Sequence, residues 1–168
     1  ISSIFFVSYL IFQIPSSIGL QKLGARKWIS AIIVGWGTVT TLIFFAKDTQ
    51  HILLARVFLG IFEAGFFPGM VYYLACWFPA RERGKVNSFF MLSIAVASVL
   101  AAPMSGWIIE HMNTGNYEGW RWLFAIEGIP TVLLGALTFY LLPDRPEKAR
   151  WLTPSQVTAL VDKLNSDN

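Results

Sequence analysis

Four stretches of this sequence, residues 1–21, 28–46, 86–109 and 128–143, carry no charged side chain. A helix needs about 20 mostly apolar residues to cross the hydrocarbon core of a bilayer. Runs of this kind make the chain an integral membrane protein and predict an all-α, polytopic transmembrane bundle of five helices. The spans fall at about 1–20, 28–46, 52–78, 86–109 and 120–142. Residues 1–143 form the membrane unit, and residues 144–168 a segment outside the bilayer. Only 14% of the 168 residues are charged, against about a quarter in soluble domains. The net charge of +3 sits in short connections and forms no basic stripe on a soluble fold, which excludes a nucleic-acid binder. Cys76 is the single cysteine, so no disulfide closes within the chain. The sequence begins at Ile1 inside an apolar run with no charged start, which reads as a piece whose beginning is missing.

The connections fix orientation. Lys22, Arg26 and Lys27, then Arg81, Arg83 and Lys85, then Arg145, Lys148, Arg150 and Lys163 fall on one side; Lys47 and Arg121 fall on the other. Basic loops stay cytoplasmic, so the first group faces the cytoplasm of a cell-membrane protein. Tyr9 and Gln13 share a helix face, either for helix–helix hydrogen bonding or to line a solute path. Pro15 is expected to kink the first span. Small residues from Ala97 to Gly106 suit close helix packing, with a hinge at Pro103 as the sharper alternative. Glu127 lies ahead of Pro130, which suggests a bond to backbone freed by the proline. Residues 110–118 read as a polar loop and 166–168 as a frayed end. Thr153 and Gln156 suit the start of a short amphipathic helix over 151–164.

The most informative stretch is Arg56-Val57-Phe58-Leu59-Gly60-Ile61-Phe62-Glu63-Ala64-Gly65-Phe66-Phe67-Pro68-Gly69. Arg56 and Glu63 are seven residues apart, on one face and roughly 10 Å apart along a helix rising about 1.5 Å per residue, with Gly60 between them. Ionisable groups at membrane depth are costly and face a bundle interior or a wet cavity. The alternative for Arg56 is a structural charge that snorkels to water, and for Glu63 a hydrogen-bonded packing residue. An enzyme would need clustered catalytic or metal-binding groups. Both histidines, His51 and His111, are in loops, and every aspartate lies outside the spans. No enzyme, cofactor or metal site is expected.

These segments, with Phe12-Gln13-Ile14-Pro15, Gly24-Ala25-Arg26-Lys27-Trp28, Trp77-Phe78-Pro79-Ala80-Arg81-Glu82-Arg83, Gly119-Trp120-Arg121-Trp122-Leu123-Phe124-Ala125-Ile126-Glu127-Gly128 and Leu142-Pro143-Asp144-Arg145-Pro146, resemble the major facilitator superfamily. Within it they resemble the anion:cation symporter group of organic-anion permeases. The resemblance implies helices 2 to 6 of a twelve-helix carrier, the partial N-terminal half, with the remainder of the same transporter chain as partner. It implies proton-coupled symport of a small organic anion, a carboxylate, by alternating access. Glu63 then matches the family's proton site, Arg56 the arginine before it, and Tyr9, with Gln13, a substrate-facing position. Arg26, Lys27, Arg81 and Arg83 match a cytoplasmic gate. Gln21 stands where the family usually has a latching acid. Alternatives are an anion exchanger or uniporter without proton coupling, or a non-transporting sensor or structural subunit. Arginine presents a planar fork matched to a carboxylate, so a substrate anion and Glu63 would compete for Arg56.

Overall fold

A computed structural model describes residues 2–113 and 117–166. Ile1, residues 114–116 of the polar loop and residues 167–168 of the expected frayed end lie outside the described residues. The described chain is α1 (Ser2–Leu23), α2 (Ala25–Leu42) with a 3-10 turn at Ile43–Phe45, α3 (Thr49–Glu63), α4 (Phe66–Trp77), α5 (Ala80–His111), α6 (Gly119–Leu141), a 3-10 turn at Pro146–Lys148, and α7 (Pro154–Ser166). Five stretches are long and apolar enough to cross a membrane: Ser3–Leu23, Ala25–Phe45, Thr49–Trp77, Ala80–His111 and Gly119–Leu141.

The third span is therefore two helices rather than the single run expected over 52–78. Pro68 has no N–H to offer the Ala64 carbonyl, and its ring crowds that carbonyl. Helix α3 stops at Glu63, and α4 restarts at Phe66 after Ala64 and Gly65. Tertiary contact holds the interruption in place. Ala64 is fully buried, and a Cβ on Gly65 would collide with Ser16 of α1 and Ile32 of α2. Helices α1, α5 and α6 run through Pro15, Pro103 and Pro130 without stopping.

Two connections are tighter than the charge pattern suggests. The basic turn between the first spans shrinks to Gly24, whose φ of 83° lies in the left-handed region open to glycine. The second basic turn is helical, because α5 begins at Ala80 rather than 86, with Pro79 capping it and Glu82 in its first turn. An acid there complements the helix dipole.

Among the described residues the most extensive helix–helix contact is α2 with α6. A Cβ on Gly37 would lie 2.7 Å from the Val132 backbone nitrogen, one on Gly128 2.6 Å from that of Thr41, and one on Gly135 2.9 Å from that of Val34. Only glycine allows such approach. The small-residue run of α5 has no such role among the described residues: it is exposed, and Gly106 has open space around it. The pattern shows that a backbone can be approached but does not name the approaching helix. The tail folds back beneath α4 and α5. Trp151 stacks on Trp77 with centroids 6.1 Å apart, and Lys163 pairs with Glu82 at 2.7 Å. The reciprocal cap of α7 forms as read, with the Thr153 N–H donating to Gln156 Oε1 at 2.9 Å and the Gln156 N–H to Thr153 Oγ1 at 3.4 Å.

Gly128→Ala, which forces α6 off α2, is expected to cost about 1–3 kcal/mol. Thermal unfolding of the complete protein in detergent should show a clear loss of Tm. Gly84→Ala, with nothing near its Cβ, should leave Tm unchanged or slightly raised.

Candidate functional site

Helix α1 crosses α3 at Gly60. A Cβ on Gly60 would lie 2.6 Å from the Phe5 carbonyl oxygen, 2.9 Å from Ser8 Cβ and 3.2 Å from the Tyr9 nitrogen. The residue between Arg56 and Glu63 on the stripe is thus the contact that brings the Tyr9 backbone against α3. Tyr9 is half-buried, with its ring 6.2 Å from that of Phe5. Gln13 lies one turn further along α1 and is exposed; its backbone carbonyl accepts the Ser17 hydroxyl at 3.0 Å.

Arg56 is half-buried, and its Nε is buried with no hydrogen-bond partner among the described residues. Glu63, also half-buried, is the last residue of α3 and stands at the helix interruption. The Arg56 charge acts on the Glu63 carboxyl, yet among the described residues no ion pair joins them. A cavity of about 330 Å³ opens between α1, α2 and α3, lined by Phe12, Pro15, Ser16, Trp28, Ile61 and Phe62 among others. Its walls are apolar apart from Ser16 and the Trp28 indole nitrogen, so it offers no charge to an anion. The Glu127 carboxyl lies near the Ser105 hydroxyl of α5.

The four basic residues at the cytoplasmic end have separate surroundings. The Arg26 backbone N–H, in the first turn of α2, donates to Asp144 Oδ1 at 2.9 Å. The Arg26 guanidinium donates through Nε to the Phe139 carbonyl and lies 4.7 Å from the centre of the Phe139 ring. Lys27, next along the helix, is exposed. Arg83 reaches back to the end of α4, donating from Nε to the Phe78 carbonyl at 3.0 Å and from Nη2 to the Ala75 carbonyl at 3.2 Å. A cation on the last carbonyls of a helix complements its dipole. Arg81 is exposed on the first turn of α5.

The residue that sequence reasoning missed is Asp144. Gln21 leaves the loop between α1 and α2 without an acid, but Asp144, from just beyond α6, places a carboxylate on the N-terminus of α2. A Cβ on Gly24 would sit 2.9 Å from the same oxygen, so the glycine both makes the turn and admits the acid. The sequence offered Asp144 only as part of the 142–146 segment that carries the resemblance, one residue after a helix-ending proline, with nothing to tie it to α2.

Five apolar spans, the third carrying a half-buried arginine and glutamate, define a polytopic membrane protein. Residues 1–164 match the model of the Major Facilitator Superfamily, and the chain belongs to that family. It is a multi-pass cell-membrane protein. It is 42% identical over 166 residues to a protein of Agrobacterium vitis named "Putative tartrate transporter", a match covering 99% of this chain and 37% of that protein. It is 39% identical to a protein of Acinetobacter baumannii named "Quinolone resistance transporter", with 99% and 38% covered. Among solved structures, a bacterial homolog of the human lysosomal transporter Spinster superposes with a TM-score of 0.73 at 22% identity, over 90% of this chain and 36% of that one. The chain thus spans less than two-fifths of the relatives it matches.

Asp144→Ala is expected to lower the stability of the complete protein by about 1 kcal/mol, the usual worth of an N-terminal cap. Asp144→Asn, which keeps an acceptor and loses the charge, should recover at least half of that loss. Thermal unfolding of the three proteins side by side makes the measurement.

Proposed function

We propose that the complete protein is a secondary active transporter that carries a small organic anion, a carboxylate, together with a proton by alternating access. The observation that carries this reading is the α3 stripe. Among the described residues, Arg56 holds a buried Nε without a partner, and Glu63 sits at a helix interruption within reach of the Arg56 charge but outside an ion pair. A buried donor without an acceptor costs free energy unless a partner fills the place. A substrate carboxylate is a partner of the right shape and charge. Protonating Glu63 removes the negative charge that competes for Arg56, so proton and anion load together. Tyr9 and Gln13 continue the stripe onto α1 as polar contacts for the solute. Arg26, Lys27, Arg81 and Arg83 serve the cytoplasmic closure. The relative named for tartrate supports a carboxylate substrate; the one named for quinolone resistance makes a zwitterionic drug the necessary comparison.

The test is proton flux in liposomes holding the complete protein, with a panel of organic acids and a quinolone. Glu63→Gln should abolish anion-driven proton entry while anion exchange persists. Arg56→Gln should raise the KM for the anion tenfold or more, as expected for losing a hydrogen bond to a charged group. Proton entry undiminished in Glu63→Gln would remove Glu63 from the coupling and move the proton to Glu127 or to residues outside this chain. Exchange without any proton movement in the wild type would make the protein an anion exchanger.

A further inference from the structure

Helix α6 ends at Leu141 because Pro143 follows, and the 3-10 turn at Pro146–Lys148 then turns the chain beneath it. Between these pieces lies a concavity of about 440 Å³ lined by Arg26, Tyr140, Pro143, Lys148, Arg150 and Trp151 among others. Two of its walls are fixed. Arg26 is held by the Phe139 carbonyl and ring, and Trp151 is stacked on Trp77. Lys148 and Arg150 are exposed and make no ion pair among the described residues. The acids of the same segment are turned to other tasks. Asp144 accepts the Arg26 backbone N–H and offsets part of the charge there, while Glu147 lines a separate cavity with Arg145 and Cys76. Three cations and two amphipathic aromatics therefore surround one hollow.

A second feature bears on what fills it. From the mouth of this hollow, Leu141, Leu137, Leu133 and Ile129 form an exposed apolar line along α6 at four-residue spacing, a shared helix face. The line runs about 18 Å at about 1.5 Å per residue, over half the thickness of a bilayer core of about 30 Å. Tyr140, 76% exposed, and Trp151 stand where the polar hollow meets this line, as aromatics do at membrane interfaces. A small soluble anion would use the hollow alone. A molecule with a phosphate at one end and hydrocarbon at the other uses both.

We propose that this concavity binds the phosphate of an anionic phospholipid of the cytoplasmic leaflet, with Lys148 and Arg150 on the headgroup and acyl chain along the α6 line. Basic pockets on the cytoplasmic side of membrane helices hold anionic headgroups in this way. The site is separate from the Arg56–Glu63 stripe and does not depend on the transport reading.

Native mass spectrometry of the complete protein in detergent, titrated with phosphatidylglycerol or phosphatidylcholine, tests it. Phosphatidylglycerol should bind in preference, and K148Q/R150Q should weaken it about 30-fold, at about a fivefold factor per basic group. Each single variant should lose about fivefold, which keeps the test open should the double variant fold poorly. K148R/R150K should retain binding. K22Q/K85Q removes the same charge from the same membrane side outside the hollow and should also retain it. The proposal is overturned by an unchanged affinity in K148Q/R150Q, by an equal loss in K22Q/K85Q, which marks diffuse surface attraction, or by displacement of the lipid with millimolar inorganic phosphate, which marks a small-anion site.

Discussion

A backbone in hydrocarbon has no water to bond with, so each peptide group has to find its partner inside the protein. That constraint makes the spans helical and gives meaning to the one span that is interrupted. Four prolines lie within the membrane spans, and three are absorbed by helices that continue through them. Pro68 alone among them follows a stop, five residues after Glu63 and three after the second of the buried pair Ala64 and Gly65. The interruption persists because α1 and α2 close on Gly65 through Ser16, Trp28 and Ile32. An ionisable side chain at the end of a helix, next to a carbonyl freed by proline, sits among partial charges that an unbroken helix would have cancelled.

Two glycine contacts then arrange the bundle. Gly37, Gly128 and Gly135 bring α2 and α6 together as one unit, and Gly60 brings α1 onto α3. The first contact ties the outer framework together and carries Asp144, at the end of α6, to the start of α2. The second sets Tyr9 beside the charged stripe. Helix α5 takes little part in this packing: its apolar and small residues are open along most of its length among the described residues. The charged stripe lies on α3, one partner of the second contact.

The five spans were legible because charge is so costly in a bilayer that its absence over some twenty residues is nearly sufficient evidence of a helix. The stripe was legible for the same reason, since Arg56 and Glu63 are the exceptions inside an apolar run. Helix ends were less so. Residues 80–85 read as a loop from their charge, yet alanine, arginine and glutamate are good helix formers, and α5 includes them. The Pro68 stop was hidden because proline in a membrane helix is so often tolerated, and whether it stops the helix depends on what packs against it. Asp144 at α2 and Arg83 at the end of α4 were out of reach for different reasons. The first joins residues 118 positions apart, and the second uses a side chain whose charge already had a sufficient explanation in topology.

The separation of Arg56 and Glu63 is a help to the proposed cycle rather than an obstacle. Two unit charges about 10 Å apart interact by about 1.7 kcal/mol where the effective dielectric constant is about 20, and by about 0.4 kcal/mol in bulk water. A directly bonded pair would hold its proton state and its anion vacancy through both conditions, because contact energy and hydrogen bonds dominate there. At this distance the influence of Glu63 on Arg56 is strong when the path is dry and weak when water enters. A carrier that opens alternately to either side changes the wetting of such a path at each half-cycle. In the proposed cycle the same two residues couple proton and anion when the path is closed, and release them independently when it is open.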